Sequence, residues 1–156
     1  MKCLVRGYKG AGFGAGFIKW FTFSKFSHVS LVFDMGHDVH EIEAIQGKGV
    51  VRHAPHSIKD LDFVEYNVPL SHDQILIAHQ EATELLDSDY DWSGVWGFVQ
   101  RKKKHNKFKW FCSELVAYVL FKAGYMLSRR KPFQETPATV CDSKRLDDPI
   151  MESGGA

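Results

Sequence analysis

Residues 110–116 read Trp110-Phe111-Cys112-Ser113-Glu114-Leu115-Val116, and in them an extended aromatic segment turns into an amphipathic helix. Cys112 stands at the start of that helix, where the first backbone N–H groups lack partners in the helix and the helix dipole is positive. Both effects favour the thiolate, which is the reactive form of a cysteine. The segment therefore predicts a nucleophile at Cys112 and a helix from Cys112 to Ala123, ended by Gly124.

Size and composition place the chain among soluble globular domains. Its 156 residues are enough to bury a core, with 44% of them hydrophobic and 25% charged. We expect one domain over residues 1–146 and a flexible C-terminal tail over residues 147–156. A net charge of +1 argues against a chain-wide nucleic-acid surface, so no nucleic-acid partner is predicted.

Three cysteines without a CxxC pair predict a reducing compartment and no disulfide framework. Cys3 and Cys141 are interpreted as small core thiols, the usual role of a free cysteine. The sequence contains no secretory signal and no apolar run of about 18 residues, the length of a membrane span. A cytoplasmic location is therefore expected, with release by another route left open.

A predicted β-hairpin supplies the partners that a catalytic thiol needs. Cysteine-dependent acyl transfer requires a base within reach of the thiol and a third group that orients the base. Alternation in residues 28–34 puts apolar side chains on one strand face and His28 on the polar face, and residues 39–45 form the returning strand. A two-residue loop at residues 35–36 would pair positions whose numbers sum to 71, so His28 would face Glu43. If the paired numbers sum to 69 or 73 instead, Glu43 lies diagonal to His28 across the two strands and is still within reach.

The remaining pattern predicts strands in the first half and helices in the second. Residues 3–6 and 62–68 have the character of strands, and Ser71 with Gln74 has the spacing of a capping box at a helix start. This order predicts an α+β fold, in which a small antiparallel sheet packs on the helix that carries Cys112.

Several segments, taken in order along the chain, form a combined pattern: Phe17-Ile18-Lys19-Trp20-Phe21-Thr22-Phe23-Ser24-Lys25-Phe26-Ser27-His28-Val29-Ser30-Leu31-Val32, Ile42-Glu43-Ala44, Gly47 to Val50, Tyr90-Asp91, Phe111 to Val116 and Thr136-Pro137. They span roughly residues 4–140. Together they resemble the circularly permuted papain-like hydrolases, which are NlpC-related, YiiX-like proteins and kin to lecithin–retinol acyltransferase. An order with the histidine first and the cysteine last is the mark of the permuted branch.

The resemblance implies an NlpC-type fold with Cys112 as nucleophile, His28 as base and Glu43 as the polar group that orients the base. Ser30 departs from the family pattern, because glycine or alanine is common there, and it narrows the space beside His28. In the acyltransferase branch the third residue is itself a histidine, so Glu43 indicates the hydrolase-like branch. The backbone N–H of Cys112 is the natural first oxyanion donor, and the second donor is unassigned.

Two other motifs raise the question of a cofactor or a metal. Residues 10–16 contain a GxGxxA match, but no suitably placed acid follows, so a loop near the cleft is the better interpretation. His37-x-x-His40 and His53-x-x-His56 lack a recognisable ligand framework, although Glu41 and Glu43 lie close to the first pair, and are interpreted as surface histidines. No cofactor and no metal are predicted.

The function predicted from the sequence is that of a cysteine-dependent hydrolase that cleaves an amide or ester bond through an acyl-enzyme. Peptide or peptidoglycan-like substrates come first and lipid acyl substrates second. A lipid acyltransferase or thioesterase-like enzyme of the same fold is the alternative within the enzyme class. A catalytically silent binding module is the alternative outside it, and the oligomeric state stays open.

Overall fold

The computed structural model describes residues 1–9, 25–56, 61–90 and 109–152. In chain order, the described residues form β1 (Lys2–Lys9), β2 (Phe26–Asp34), β3 (Val39–Ile45), β4 (Gly49–His53), β5 (Phe63–Asn67), α1 (His72–Glu84), β6 (Asp89–Tyr90), β7 (Lys109–Trp110), α2 (Cys112–Lys122), a 3₁₀ turn (Pro132–Gln134), α3 (Pro137–Cys141) and β8 (Pro149–Glu152). Residues 10–24, 57–60, 91–108 and 153–156 lie outside the described residues. The GxGxxA match, residues 17–24 and Asp91 of the resemblance, and the last four residues of the predicted tail therefore lie outside them.

Six of these strands form one antiparallel sheet in the order β4-β3-β2-β1-β5-β8. The short strands β6 and β7 form a separate parallel pair. Helix α2 packs against β2 and β3, and α1 packs against α2. The predicted α+β class and its antiparallel sheet are therefore confirmed in the described part of the chain.

The two faces of the sheet differ in chemistry, because direct cross-strand partners share a face. One face is apolar and packs with α2 into the core, through residues such as Val5, Leu31, Ile42 and Tyr66. Among the described residues, the other face bears seven buried polar side chains beside the buried Val32 and Phe63, and the seven are here called the polar layer: Arg6, Tyr8, His28, Ser30, Glu41, Glu43 and Glu65. A polar layer of this kind is unusual, since charged side chains are almost never fully buried unless paired.

Helix α2 begins and ends as the sequence predicts. It runs over Cys112–Lys122, and Gly124 adopts a φ of +77°, the left-handed conformation of a C′ residue. Ser113 Oγ donates a hydrogen bond to the carbonyl oxygen of Glu135 at 2.6 Å, which anchors the first turn of the helix. The predicted capping box of Ser71 at the start of α1 is also present.

The C-terminal segment differs from the predicted flexible tail. Pro149–Glu152 forms β8, which pairs with the outer edge of β5. Asp147 leads the chain onto that edge, because its N–H donates to the Asn67 carbonyl at 3.1 Å and its carboxylate accepts from Asn67 Nδ2 at 2.6 Å. The unpaired backbone groups of an edge strand attract such a segment, and this tertiary effect has no local sequence signal.

Gly7 sits where the chain leaves no room for a side chain. An added Cβ would stand 2.4 Å from Cys141 Sγ and 2.9 Å from the ring of Phe26. Gly7→Ala should therefore lower the free energy of unfolding by about 1–3 kcal/mol, as overpacking a core does. Denaturant unfolding measures this loss. The loss should be smaller when Gly7→Ala is made in a Cys141→Ala background, and an unchanged loss would contradict the steric cause.

Candidate active site

Cys112 and His28 meet where helix α2 begins beside strand β2. The Cys112 thiol is hydrogen-bonded to His28, and both side chains are buried, with Cys112 fully so and His28 5% exposed. Burial lowers the local dielectric and strengthens the interaction between a thiolate and an imidazolium.

Glu43 holds the far side of the His28 ring. Its Oε2 hydrogen-bonds to His28 Nε2, so Nδ1 is left as the ring nitrogen for Cys112. The predicted two-residue hairpin loop is wrong, because residues 35–38 form the loop and paired positions sum to 73, as in Leu31 opposite Ile42. The slip of two leaves Glu43 diagonal to His28 and on the same face, as the parity of the strands requires.

The charges of the three groups reinforce one another. Burial alone would lower the pKa of His28, but the charge and hydrogen bond of Cys112, together with Glu43, raise that pKa to about 10. Burial alone would raise the pKa of Glu43, but hydrogen bonds and charges from His28 and His53 hold that pKa well below its usual range. The arrangement therefore favours the protonated form of His28 and the ionised form of Glu43.

The other two cysteines lack such partners and match their predicted role as core thiols. Burial raises the pKa of the Cys3 thiol to about 12. Burial also raises the pKa of Cys141, which lies on α3 against the apolar face of the sheet. Both are free thiols within the core. Within the described ranges, Cys112 is the one cysteine of the three that is joined to a base.

The rest of the polar layer surrounds the carboxylate of Glu41. Arg6 Nη1 donates to Glu41 Oε2 at 3.1 Å, while Arg6 Nε and Nη2 donate to Glu65 Oε1 at 2.9 and 2.6 Å. Tyr8 and Ser30 each donate a hydroxyl hydrogen bond to Glu41 Oε1. Burial, followed by the charge of Glu41, raises the pKa of Tyr8, so the phenol remains a donor. Ser30 thus donates a hydrogen bond to Glu41. The resemblance predicts instead that the Ser30 side chain narrows the space beside His28.

His53 and His56, which are interpreted from the sequence as surface histidines, are partly exposed but lie against these carboxylates, whereas His40 of the same interpretation is buried. Glu41 is the direct cross-strand partner of His53 in the pairing of β3 with β4. His53 Nε2 lies 2.6 Å from Glu43 Oε1, and His56 Nε2 lies 3.4 Å from the same oxygen. The hydrogen bond to Glu43 raises the pKa of His53. In the sequence, this contact could have been predicted from the turn with Gly47 and Gly49, which reverses the chain so that β4 runs antiparallel to β3.

Within the described ranges, the helices over residues 72–84, 112–122 and 137–141 are too short or too polar to cross a bilayer.

No family model and no curated protein sequence matches the chain. A solved structure does: the crystal structure of metalloprotein YiiX from Escherichia coli O157:H7, DUF1105. The two superimpose with a TM-score of 0.73 over 97% of each chain, at 19% sequence identity. At that identity the likeness shows the fold, so the protein belongs structurally to the class of α+β proteins with a six-stranded antiparallel sheet. The particular fold is YiiX-like, as the similarity of the sequence motifs to YiiX-like proteins predicts.

Proposed function

We propose that this protein is a circularly permuted papain-like cysteine hydrolase that cleaves an amide or ester bond. The observation that supports it is the continuous chain of hydrogen bonds from Cys112 through His28 to Glu43. A nucleophile, a base and a group that orients the base are the parts that covalent acyl transfer needs. Two further thiols of the same chain, held as neutral core groups, show no such arrangement.

The reaction follows from the charges of the site. Cys112 Sγ attacks the substrate carbonyl, and the Cys112 N–H at the start of α2 donates to the developing oxyanion. His28 gives its proton to the leaving amine or alcohol as the bond to the carbonyl carbon breaks, which leaves an acyl-enzyme. Neutral His28 then takes a proton from water, and the hydroxide formed attacks the thioester. The acid leaves, and Cys112 and His28 return to their starting charges.

The substrate class proposed first is an amide, in a peptide or a peptidoglycan-like linkage, and lipid acyl esters come second. Glu43 in the third position supports the hydrolase-like branch, in which water accepts the acyl group. The buried setting of Cys112 and His28 supports chemistry in which bulk water is excluded during the first step.

Trapping the acyl-enzyme tests this proposal. After mixing with p-nitrophenyl acetate, the wild-type protein should gain the mass of one acetyl group, and peptide mapping should place it on Cys112. Cys112→Ser should release p-nitrophenol more slowly by about 10⁴-fold or more, as loss of a catalytic nucleophile does. Cys3→Ser is the matched control, because it removes a buried thiol that has no base, and it should keep the activity.

Other outcomes assign other functions. Acetyl groups spread over lysines and all three cysteines, or equal rates in the two serine variants, would indicate a catalytically silent module. An acyl-enzyme that transfers to an added amine or alcohol faster than to water would instead identify an acyltransferase.

A further inference from the structure

We propose that His53, His56 and Glu41 form a binding site for one divalent transition-metal ion. One ligand atom from each, the two imidazole nitrogens and a carboxylate oxygen, lie within 4.8 Å of one another. The pairing of β3 with β4 holds Glu41 directly opposite His53, and His56 follows three residues after the end of β4. The site therefore stands on a paired strand and not on a surface loop alone.

The tautomer of His53 directs a ligand atom into this site. Its Nδ1 lies 2.7 Å from the Ala54 carbonyl oxygen, which can only accept, so Nδ1 carries the hydrogen. Neutral His53 then presents the Nε2 lone pair to the carboxylates, with Glu43 Oε1 only 2.6 Å away. Two acceptors that face each other at this distance require a proton or a cation between them. A histidine held through its other nitrogen by a carbonyl is the usual arrangement around a bound metal.

The charge of the polar layer also favours a cation. Glu41, Glu43 and Glu65 are all buried, and in the described ranges Arg6 is the lone guanidinium or ammonium group that pairs with them. Besides Arg6, the imidazoles of His53 and His56 are basic groups near these carboxylates, and both face Glu43 Oε1. While both imidazoles are neutral, as metal ligands must be, the buried carboxylates outnumber the guanidinium, and uncompensated buried charge is costly. A divalent ion at His53 and His56 would supply positive charge at this place.

The ligand atoms define which ion would bind. Two imidazoles and one carboxylate suit zinc, iron or cobalt, whereas calcium and magnesium prefer oxygen ligands alone. The side chains of His53 and His56 are 26% and 31% exposed, so an ion can enter from the solvent side. Glu41 is fully buried and accepts hydrogen bonds from Arg6, Tyr8, Ser30 and the His56 N–H, which together use the four lone-pair positions of its carboxylate. A bound ion would replace the longest of them, from the His56 N–H at 3.2 Å, and the other three would orient the ligating carboxylate.

The proposed site is separate from the thiol chemistry. Its ligands include neither Cys112 nor His28. It meets His28 through Glu43, which contacts both His53 and His28, and through Tyr8, which donates to Glu41 and packs on the His28 ring. Binding of the ion should therefore survive Cys112→Ser. Because the two sites use different residues, an experiment can disprove the metal site without disproving the hydrolase proposal. It can also disprove the hydrolase proposal without disproving the metal site.

Cobalt(II) titration of the full chain tests the site. Wild-type protein should bind one equivalent and develop the visible absorption of a low-symmetry nitrogen–oxygen site, and Cys112→Ser should do the same. His53→Gln with His56→Gln should weaken binding by at least about 100-fold, since removing even a partner of a ligand costs 10–100-fold. The control is His79→Gln, which breaks the other imidazole pair, where His40 Nε2 and His79 Nε2 lie 3.1 Å apart. It should leave binding unchanged.

A measurement without variants guards against misfolding. Zinc added to wild-type protein should protect His53 and His56, but not the exposed His72, from a histidine-acylating reagent, with the sites mapped by peptide mass spectrometry. Absence of one-equivalent binding, loss of binding in His79→Gln alone, or equal acylation of His53 and His56 with and without zinc would overturn the proposal.

Discussion

The imidazole of His28 is expected to stay protonated up to about pH 10 in the wild-type protein and to lose its proton at a lower pH in Cys112→Ser. The charge of the cysteine sulfur and its hydrogen bond are the first of the effects that raise this pKa against burial, so a neutral hydroxyl in its place removes them. Glu43 remains in the variant and keeps part of the elevation. The titration midpoint should therefore fall toward, without reaching, the ordinary value of 6.5.

Nuclear magnetic resonance of protein labelled with ¹⁵N-histidine measures this midpoint directly. Cys3→Ala is the control, because Cys3 pairs with Phe33 on the apolar face, away from His28, and its loss should leave the midpoint unchanged. A His28 midpoint near 6.5 in the wild-type protein, or equal midpoints in wild type and Cys112→Ser, would show that the thiol and the imidazole are not an ion pair.

The same shift sets how His28 contributes to stability across pH. Its folded-state pKa lies above the ordinary value, so the folded protein binds the proton more tightly than the unfolded chain. The contribution of His28 to the free energy of unfolding is complete below about pH 6.5 and is lost as the pH rises toward about 10. In Cys112→Ser the upper end of this range should move down together with the midpoint.

Arg6→Met is expected to cause the largest loss of stability, about 3–5 kcal/mol in the free energy of unfolding. Arg6 is 5% exposed, and its guanidinium is the ion-pair partner of both Glu41 and Glu65. Methionine fills a similar volume but leaves two carboxylates buried without that compensation. Denaturant unfolding at neutral pH measures the loss, and Glu65→Gln in the same chain should restore part of it, because it removes one of the two unpaired charges.

Arg52→Met is the matched control for this effect. Arg52 pairs with Asp38, but both side chains are about 40% exposed, at 43% and 40%. Water and salt screen such a pair, so its loss should cost no more than about 1 kcal/mol. Similar losses for the two arginine variants would mean that the polar layer is solvated and that its carboxylates do not need Arg6.

Local patterns were sufficient to predict the elements that meet at the candidate active site. The aromatic segment before Cys112 and the glycine after the helix gave both ends of α2 correctly. Strand alternation put His28 and Glu43 on one face even though the loop length was predicted wrongly. Alternation survives a slip of two because side chains repeat every second residue along a strand, whatever loop joins the strands.

The polar layer could not be predicted from local patterns. Arg6 and Glu65 are 59 residues apart, and they meet because β1 pairs with both β2 and β5. Charged side chains in short strands are typical of a solvated face, so local composition does not indicate that these residues are buried. The energetic reason for their burial is mutual pairing, which exists only after the strands have assembled.

The order of residues along the chain thus established the α+β class, the helix that presents Cys112 and the strand face that presents His28, because each depends on the backbone geometry of neighbouring residues. Assembly of the sheet decided the surroundings of those groups. It buried Glu41 under Arg6, brought His53 and His56 to the carboxylates, and turned a tail into β8. These contacts join residues far apart in sequence, and their energies depend on burial and charge compensation that no single segment contains.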